Sequence, residues 1–162
     1  MPYAILTLIL IALDQLVKYQ VLQNIAPGEY IPFIPYILDL TYVENTGAAF
    51  SMLEDYTWLL TGISLGVSVI LALALWKNYF RHPIGKLTLT LLLAGAVGNL
   101  IDRVARGYVV DMFHVLFMHF AVFNVADICV VVGGFGAALY YLFLQPKLEK
   151  PEESHDQPNP DT

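Results

Sequence analysis

Charged residues and cysteine are both scarce in this sequence of 162 residues. Asp, Glu, Lys and Arg make up 14% of the chain, against 57% hydrophobic residues, and the formal net charge is −6. Soluble globular proteins carry about 25% charged residues, so the composition excludes an ordinary soluble domain and indicates a membrane protein. The single cysteine, Cys129, excludes a disulfide framework and a thiolate metal cluster. We expect it to be a small buried side chain.

Four long apolar segments account for the hydrophobic excess: residues 3–21, 57–76, 87–105 and 123–144. Each is close to the ~20 residues that cross ~30 Å of hydrocarbon as a helix, the form that leaves no backbone group unpaired in lipid. The first segment is interrupted by Asp14 and Lys18, so we expect a retained helix rather than a signal peptide. The prediction is an all-α membrane protein with four transmembrane helices in one domain, residues 1–146, followed by a disordered cytoplasmic tail, residues 147–162.

The connections between these segments differ in charge. The connection of residues 77–86 carries three basic residues and no acid, whereas that of residues 22–56 carries five acids and no Lys or Arg. The positive-inside rule therefore places residues 77–86 in the cytoplasm, together with both termini. The other two connections are expected to face outward.

The two outer connections contain sequences typical of short strands. Residues 37–44 are rich in β-forming types, and residues 107–111 begin a second strand after a glycine. We expect a small β-structure at the membrane surface, and an irregular surface-embedded loop over residues 112–121. Within the helices, the spacings Gly62 to Gly66 and Ala94 to Gly98 indicate close helix packing.

Several polar side chains lie inside or beside the apolar segments, where a charge costs at least ~2.5 kcal/mol. Asp14 and Lys18 are four residues apart on one helix face, which predicts an ion pair that anchors the first helix. Asn99 lies three and four residues before Asp102 and Arg103, which diverge from each other by about 100°. We expect Asp102 to serve a structural network at least as much as catalysis, and Asn99 and Arg103 to face a substrate.

Asp111 and Asp127 are expected at a similar depth, near the outer ends of the third and fourth helices, with Asn124 close by. Two carboxylates in a partly dry site cannot both ionise comfortably, so one keeps a proton. Such a pair can activate water and protonate a carbonyl or leaving group, as in aspartic proteases. The spacing alone fits a cation site or a proton relay equally well.

Metal and nucleotide motifs provide no competing prediction. The sequence contains no His-Glu-x-x-His, Cys-x-x-Cys or P-loop pattern. His114 and His119 are five residues apart in a region predicted to be irregular, which is weak evidence for metal ligation. We expect neither a metal nor another cofactor.

Five ordered blocks of polar and small residues span residues 14–127. They are Asp14-Gln-x-x-Lys18, Asn45-Thr-Gly-Ala-Ala-Phe50, Gly95-Ala-Val-Gly-Asn-Leu-Ile-Asp-Arg103, Gly107-x-Val-Val-Asp111 and Phe123-Asn-Val-Ala-Asp127. Together, in this order and relative to four apolar segments, they resemble the bacterial lipoprotein signal peptidases, or signal peptidase II. A single block would be unspecific, whereas five in register are highly specific.

The resemblance implies an intramembrane aspartyl endopeptidase with Asp111 and Asp127 as its catalytic dyad. The sequence does not assign the proton to either one, because the pair titrates as a unit. The implied substrate is a prolipoprotein carrying diacylglyceryl on its lipobox cysteine, cut just before that cysteine. The resemblance also implies a membrane-lying β-cradle and a short surface helix over the site. The polar residues implied to line or brace the site are Asp14, Lys18, Asn45, Asn99, Arg103 and Asn124.

The expected partners are lipidated prolipoproteins and membrane lipid, with no nucleic acid, and the protein is expected to act as a monomer. Its location would be the bacterial cytoplasmic membrane, with the site near the outer face and apolar residues such as Phe33 and Tyr36 dipping among the headgroups. A small secondary transporter is the main alternative, but it predicts acids spread across the membrane depth. A purely structural subunit is the second, but helix packing requires small residues rather than aspartates.

Overall fold

The computed structural model describes residues 2–47 and 56–145, and four helices dominate them. They are α1, Pro2–Asn24; α2, Thr57–Trp76; α3, Pro83–Arg106; and α4, Val125–Leu139, which a π-helical turn, Tyr140–Leu144, continues. All four are long and apolar enough to span a membrane. Their outward-facing side chains are apolar, which suits contact with lipid. The predicted four-helix membrane fold is confirmed.

The third helix begins earlier than predicted. His82 precedes it with an extended backbone and its Nδ1 accepts a hydrogen bond from the Ile84 N–H, while Pro83 occupies the first turn. Proline is well suited to that position, because its missing N–H would have no partner there. The helix therefore includes Pro83 to Lys86, which the sequence analysis assigned to the basic connection.

Three antiparallel strands form a small sheet at one end of the helices, here called the sheet end. They are β1, Tyr30–Ile34; β2, Leu38–Asn45; and β3, Val109–Val115, with β2 in the centre. The pairing places Val43 opposite Asp111 and Asn45 opposite Val109. The predicted β-structure is confirmed, but β3 extends to Val115 and buries Met112 completely. The prediction of an irregular loop from residue 112 was therefore wrong for its first four residues.

The sheet is attached to the end of α1 by a compact apolar cluster. Val21 of α1 and Ile25, the residue after this helix, pack against Tyr42 of β2 and against Val110 and Met112 of β3. Burial of these side chains fixes the sheet relative to the helices. Because side chains alternate along β3, Asp111 points to the opposite face of the sheet from Val110 and Met112.

Helix α3 is the centre of the bundle and contacts each of the other three helices. A Cβ added at Gly98 would lie 2.7 Å from Asp14 Oδ2, and one at Gly95 would collide with the Ala126 carbonyl oxygen. These glycines therefore permit α1 and α4 to approach α3 closely. Gly62 and Gly66 have no described atom within 4 Å of an added Cβ, so the packing role predicted for that pair was wrong within the described part of the chain.

Three predictions concern residues that lie outside the described ranges. The first concerns Phe50, the last residue of the second sequence block. The second is the predicted surface helix over the site, which we assign to the connection between β2 and α2, and most of that connection is outside the described ranges. The third is the predicted disordered tail from residue 147.

Candidate active site

Asp111 lies on β3 at the sheet end and is 1% exposed. Its Oδ1 accepts a hydrogen bond of 2.6 Å from Asn124 Nδ2, and its Oδ2 accepts one of 2.8 Å from Asn45 Nδ2. The strand pairing brings Asn45 to this position, since β2 and β3 run side by side there. Both oxygens of this buried carboxyl group are thus held by neutral amide donors.

Asp127 is the third residue of α4, and Asn124 is the residue that caps this helix. The Asn124 side chain accepts from the Asp127 N–H at 2.9 Å, and Asp127 Oδ2 accepts from the Asn124 N–H at 3.1 Å. This reciprocal arrangement is a capping box, which satisfies two backbone donors that the helix leaves unpaired. Asp127 Oδ1 also accepts a bond of 2.8 Å from Asn99 Nδ2. Asn124 therefore touches both aspartates.

We call Asp111 and Asp127 the amide-held pair, because three asparagine amides bond their carboxyl oxygens. Within the described ranges neither makes an ion pair. Burial raises the pKa of Asp111 to about 7, and the charge of Asp127 adds to the increase, while Asn45 and Asn124 oppose it. At neutral pH the pair therefore holds a proton on Asp111 for a substantial fraction of the time.

A second group of charged residues lies next to this pair, and we call it the ion-paired cluster: Asp14, Lys18, Asp102 and Arg106. Lys18 Nζ is 2.9 Å from Asp14 Oδ2 and 2.8 Å from Asp102 Oδ2, and Arg106 Nη1 is 2.6 Å from Asp102 Oδ1. Lys18 and Asp102 are completely buried. The predicted ion pair between Asp14 and Lys18 is present, and Asp102 joins it.

Gln15 contacts this cluster, although the sequence analysis did not select it. Its Nε2 donates to the Gly98 carbonyl at 3.1 Å and lies 3.2 Å from Asp14 Oδ2 and 3.3 Å from Asp102 Oδ1. The available signal was its position next to Asp14 in the first sequence block. An uncharged amide gave no reason to single it out without that neighbour.

Arg103 points away from Asp102, as the helical spacing predicts. Its nearest hydrogen-bond acceptors are distant, the Gly47 carbonyl at 3.3 Å and Ser64 Oγ at 3.5 Å, and its Nε is buried without a partner. Among the described residues it forms no ion pair, unlike Lys18 and Arg106. The guanidinium group therefore retains donor capacity beside the amide-held pair.

Ser64 lies in a Gly-x-Ser-x-Gly sequence that the sequence analysis passed over. In hydrolases that motif presents the nucleophile on a sharp turn between strand and helix. Here Ser64 lies well inside α2, and its hydroxyl accepts the long bond from Arg103. The local geometry therefore does not fit a serine nucleophile.

Two cavities meet at Asp111. One, of about 470 Å³, lies along α3 and α4 and is mainly apolar; it is lined by Asn99, Arg103, Asp111, Asp127 and side chains from Phe120 to Val132. The other, of about 870 Å³, lies beside β2, β3 and residues 114–122 and includes His114 and His119. Asn45 and Asp111 line both. No group of three or more His, Cys, Asp or Glu side chains in the described ranges is arranged to hold a metal ion.

All nine site residues from the sequence analysis lie in these two connected groups or beside them. Asn45, Asn99 and Asn124 contact the amide-held pair, and Arg103 lines the same apolar cavity. Asp14, Lys18 and Asp102 form the ion-paired cluster behind them. The cluster reaches the site directly, because Lys18 Nζ donates to Asn99 Oδ1 at 2.9 Å.

Comparison with known proteins identifies the family. A family model described as signal peptidase (SPase) II matches residues 6–143. The lipoprotein signal peptidase of Enterococcus faecalis is 45% identical, covering 91% of each chain, and that of Streptococcus pneumoniae is 48% identical, covering 80% of this chain and 85% of its own. The lipoprotein signal peptidase of Clostridioides difficile is 41% identical over 91% of this chain and 99% of its own.

The fold has matches among solved structures. A bacterial membrane enzyme determined by the in meso method at 2.3 Å resolution superposes with a TM-score of 0.85 at 27% identity, covering 94% of this chain and 93% of that one. A second, at 1.9 Å resolution, gives a TM-score of 0.80 and the same identity over 88% and 93%. These matches contradict the transporter alternative. The chain belongs to the signal peptidase II family.

Proposed function

We propose that this protein is an intramembrane aspartyl endopeptidase that removes the signal peptide from diacylglyceryl-modified prolipoproteins, cutting just before the lipidated cysteine. The observation that carries the proposal is a pair of carboxyl groups held by neutral amides at the edge of an apolar cavity. The family supports the reaction class, since its model describes a signal peptidase and its relatives are lipoprotein signal peptidases.

The two aspartates differ in environment, which supports different roles. Asp127 lies in the first turn of α4, where the helix dipole and the Asn124 N–H favour a negative charge. Asp111 is almost completely buried, and its raised pKa of about 7 favours the protonated form. We therefore assign Asp127 as the general base and Asp111 as the general acid.

The reaction then follows the pattern of a carboxyl dyad. Asp127 takes a proton from water as the water oxygen bonds to the scissile carbonyl carbon, and Asp111 gives its proton to the carbonyl oxygen. In the second step the C–N bond breaks: the proton on Asp127 passes to the departing amine of the cysteine, and one hydroxyl of the diol returns a proton to Asp111. Both aspartates thus return to their starting protonation states.

The apolar cavity supports a binding mode for the signal peptide. We infer that the peptide lies along α3 and α4 and that the Arg103 guanidinium donates to one of its backbone carbonyls, since its hydrogen-bonding capacity is incompletely used. Amide donors from Asn99 and Asn124 lie near the carbonyl oxygen, where charge develops in the transition state. No metal enters this scheme.

The location follows from the charge pattern of the sequence. We infer that the protein resides in the bacterial cytoplasmic membrane, as a monomer, with both termini in the cytoplasm and the sheet end outward. Phe33 and Tyr36, 56% and 91% exposed on the β1–β2 hairpin, would then lie among lipid headgroups beside the substrate's acyl chains. A substrate held by its lipid would present its cleavage site at that depth.

The proposal is tested by incubating purified protein in detergent with one prolipoprotein in two forms, with and without diacylglyceryl on its cysteine. Mass spectrometry of the products locates the cut. We expect cleavage of the lipidated form alone, directly before the cysteine, with Asp111→Asn protein as the control for contaminating proteases. Equal cleavage of both forms, or no cleavage of either by folded protein, would refute the proposed function.

A further inference from the structure

Lys18 uses all three of its ammonium protons, although an anchoring ion pair needs only one. Two protons face the carboxylates of Asp14 and Asp102, at 2.9 and 2.8 Å. The third faces Asn99 Oδ1 at 2.9 Å, across 81 residues of sequence. Lys18 is 0% exposed, so these contacts are shielded from bulk solvent. The geometry therefore directs one bond of a buried cation toward a residue that touches the amide-held pair.

Each acid of the ion-paired cluster also holds the backbone immediately before one aspartate of the amide-held pair. Asp14 Oδ1 accepts from the Ala126 N–H at 2.9 Å, one residue before Asp127. Asp102 Oδ2 accepts from the Val110 N–H at 3.2 Å, one residue before Asp111. Since Lys18 bridges the two acids, a single ammonium group links both attachment points.

The contact with Asn99 also fixes the direction of an amide. An ammonium group has protons only, so it requires the Asn99 oxygen to face it. The Asn99 NH₂ group then faces Asp127 Oδ1, to which it donates at 2.8 Å. Rotating the amide by 180° would place an oxygen against the Asp127 carboxylate and two N–H bonds against Lys18. A second donor, Asn124 Nδ2 at 3.1 Å, supports the same orientation more weakly.

The other two amides are oriented by backbone donors. Asn45 Oδ1 accepts from the Gly47 N–H at 3.0 Å, and Asn124 Oδ1 accepts from the Asp127 N–H at 2.9 Å. Each asparagine therefore turns its oxygen toward an obligatory donor and its NH₂ group toward a carboxyl group. Of the three asparagines, only Asn99 has side-chain donors to its oxygen, Lys18 and Asn124, and of these two only Lys18 can be replaced without removing a bond to Asp111 or Asp127.

We propose that Lys18, Asp14 and Asp102 form a positioning unit, which sets the spacing of Asp111 and Asp127 through Val110 and Ala126 and orients Asn99 toward Asp127. This inference rests on the proposed function, because it assumes that these two aspartates are the catalytic dyad. The three residues touch no substrate in this account. They act through the backbone and through Asn99.

The competing explanation is that the cluster merely holds the helices together. Arg106 distinguishes the two explanations, because it bonds Asp102 Oδ1, and no hydrogen bond among the described residues joins it to Asn99, Val110 or Ala126. Removing Arg106 weakens the cluster and leaves the attachment points in place. Removing Lys18 releases both acids from each other and frees Asn99 to rotate.

The test compares kcat, KM and thermal unfolding of the purified protein in detergent, with a lipidated prolipoprotein as substrate. The main variant is the charge-balanced pair Lys18→Met with Asp14→Asn, which leaves Asp102 with Arg106 as its partner. We expect kcat to fall by roughly tenfold to a hundredfold and KM to change by less than about twofold, since the variant disturbs the positions of Asp111, Asp127 and the Asn99 amide but removes no residue that contacts the substrate in this account. Arg106→Gln is the matched control, with lowered thermal stability and kcat within about twofold of wild type.

A second variant covers the case in which the charge-balanced pair fails to fold. Asn99→Asp keeps the side-chain shape and an oxygen for Lys18, but it offers Asp127 an acceptor instead of a donor. We expect it to fold and to lose about a hundredfold in kcat or more. The double variant Lys18→Met with Asn99→Leu should lower kcat by less than the product of the two separate fold-losses, since part of the effect of Lys18 is transmitted through Asn99.

The inference is overturned if either folded variant keeps kcat within twofold of wild type, or if Arg106→Gln lowers kcat as much as the charge-balanced pair does. Asp111→Asn in the same assay separates this failure from failure of the proposed function. If Asp111→Asn is inactive while the positioning variants are fully active, only the positioning role is wrong. If Asp111→Asn still cleaves, the proposed dyad is wrong.

Discussion

Two pairs of aspartates lie at the same end of this helix bundle, and within the described part of the chain only one pair has cationic partners. Asp14 and Asp102 share a fully buried lysine, and Asp102 has an arginine as well. Asp111 and Asp127 have three asparagine amides and, in the described part of the chain, no cation in ion-pair contact. The charges of the first pair are balanced by Lys18 and Arg106. The carboxyl groups of the second pair are bonded by neutral side-chain amides.

The difference shows how one residue type serves two purposes in a small membrane protein. A carboxylate bound to an ammonium group has its negative charge balanced by that partner. Asp111 has no cation in ion-pair contact in the described part of the chain, and burial raises its pKa to about 7, which suits general acid–base chemistry. The partner residues, rather than the aspartate itself, therefore indicate whether a carboxyl group has a structural or a catalytic role.

The largest expected difference between the two pairs is the effect of a substitution on the free energy of unfolding. Lys18→Met leaves Asp14 and Asp102 buried with an uncompensated charge, and it should lower the free energy of unfolding by about 3–5 kcal/mol. Asp111→Asn relieves repulsion from Asp127 but loses part of its amide bonding, so its net effect should stay within about 1 kcal/mol. Thermal or denaturant unfolding in one detergent measures both. Similar losses for the two variants would erase the distinction between the pairs.

A glycine substitution disturbs the ion-paired cluster without removing a charge. A Cβ at Gly98 lies 2.7 Å from Asp14 Oδ2 and 3.1 Å from the Ala126 Cβ. Gly98→Ala should therefore cost about 1–3 kcal/mol of stability through overpacking and lower kcat by displacing the start of α4. Gly62→Ala is the control, since nothing described lies within 4 Å of that position. Equal effects of the two substitutions on unfolding would contradict the packing account.

The pH dependence of kcat/KM tests the role of the amide-held pair directly. Asp111 has a pKa raised to about 7 by burial and by Asp127, so its protonated form is present below that pH and is lost as the pH rises through it. We expect kcat/KM to fall about tenfold per pH unit above about 7. Asn45→Ala removes a donor that lowers this pKa, so the decline should move to higher pH. A decline that stays in place in Asn45→Ala would argue against Asp111 as the acid.

The smallest expected effect lies in the β1–β2 hairpin, which belongs to neither pair. Tyr36 is 91% exposed and has a positive φ of 64°. If the hairpin meets lipid, Tyr36→Asn should raise KM in liposomes by about threefold through lost apolar contact and leave kcat unchanged. Asparagine tolerates this backbone conformation, so stability should not fall. A changed kcat would mean that the hairpin affects the chemistry as well.

The sequence was informative about the helices because the lipid environment imposes a length and a composition. The predicted span of residues 57–76 coincides with α2, and the others differ by a few residues at their ends. The early start of α3 was missed because Pro83 was interpreted as part of a loop, although it fits the first turn of a helix. The strand to Val115 was missed because its buried Met112 belongs to a core that only the tertiary structure forms.

The site was predictable as a set of residues but not as a set of contacts. Helical spacing predicted that Asp14 pairs with Lys18 and that Asp102 and Arg103 diverge. No local rule predicts that Lys18 reaches Asn99, 81 residues away, or that Asp14 holds the Ala126 N–H, 112 residues away. Those contacts depend on how α1, α3 and α4 pack, and hence on Gly95 and Gly98.

The most direct measurement compares Asp111→Asn, Asp127→Asn and Asp102→Asn for release of the signal peptide from a diacylglyceryl-modified prolipoprotein, with unfolding recorded for each. The account predicts that the first two stay folded and lose about 10⁴-fold or more in kcat. It predicts that Asp102→Asn is less stable but retains at least about a hundredth of the wild-type rate. Activity within a hundredfold of wild type in Asp111→Asn or Asp127→Asn, or an Asp102→Asn protein that is folded and equally inactive, would contradict it.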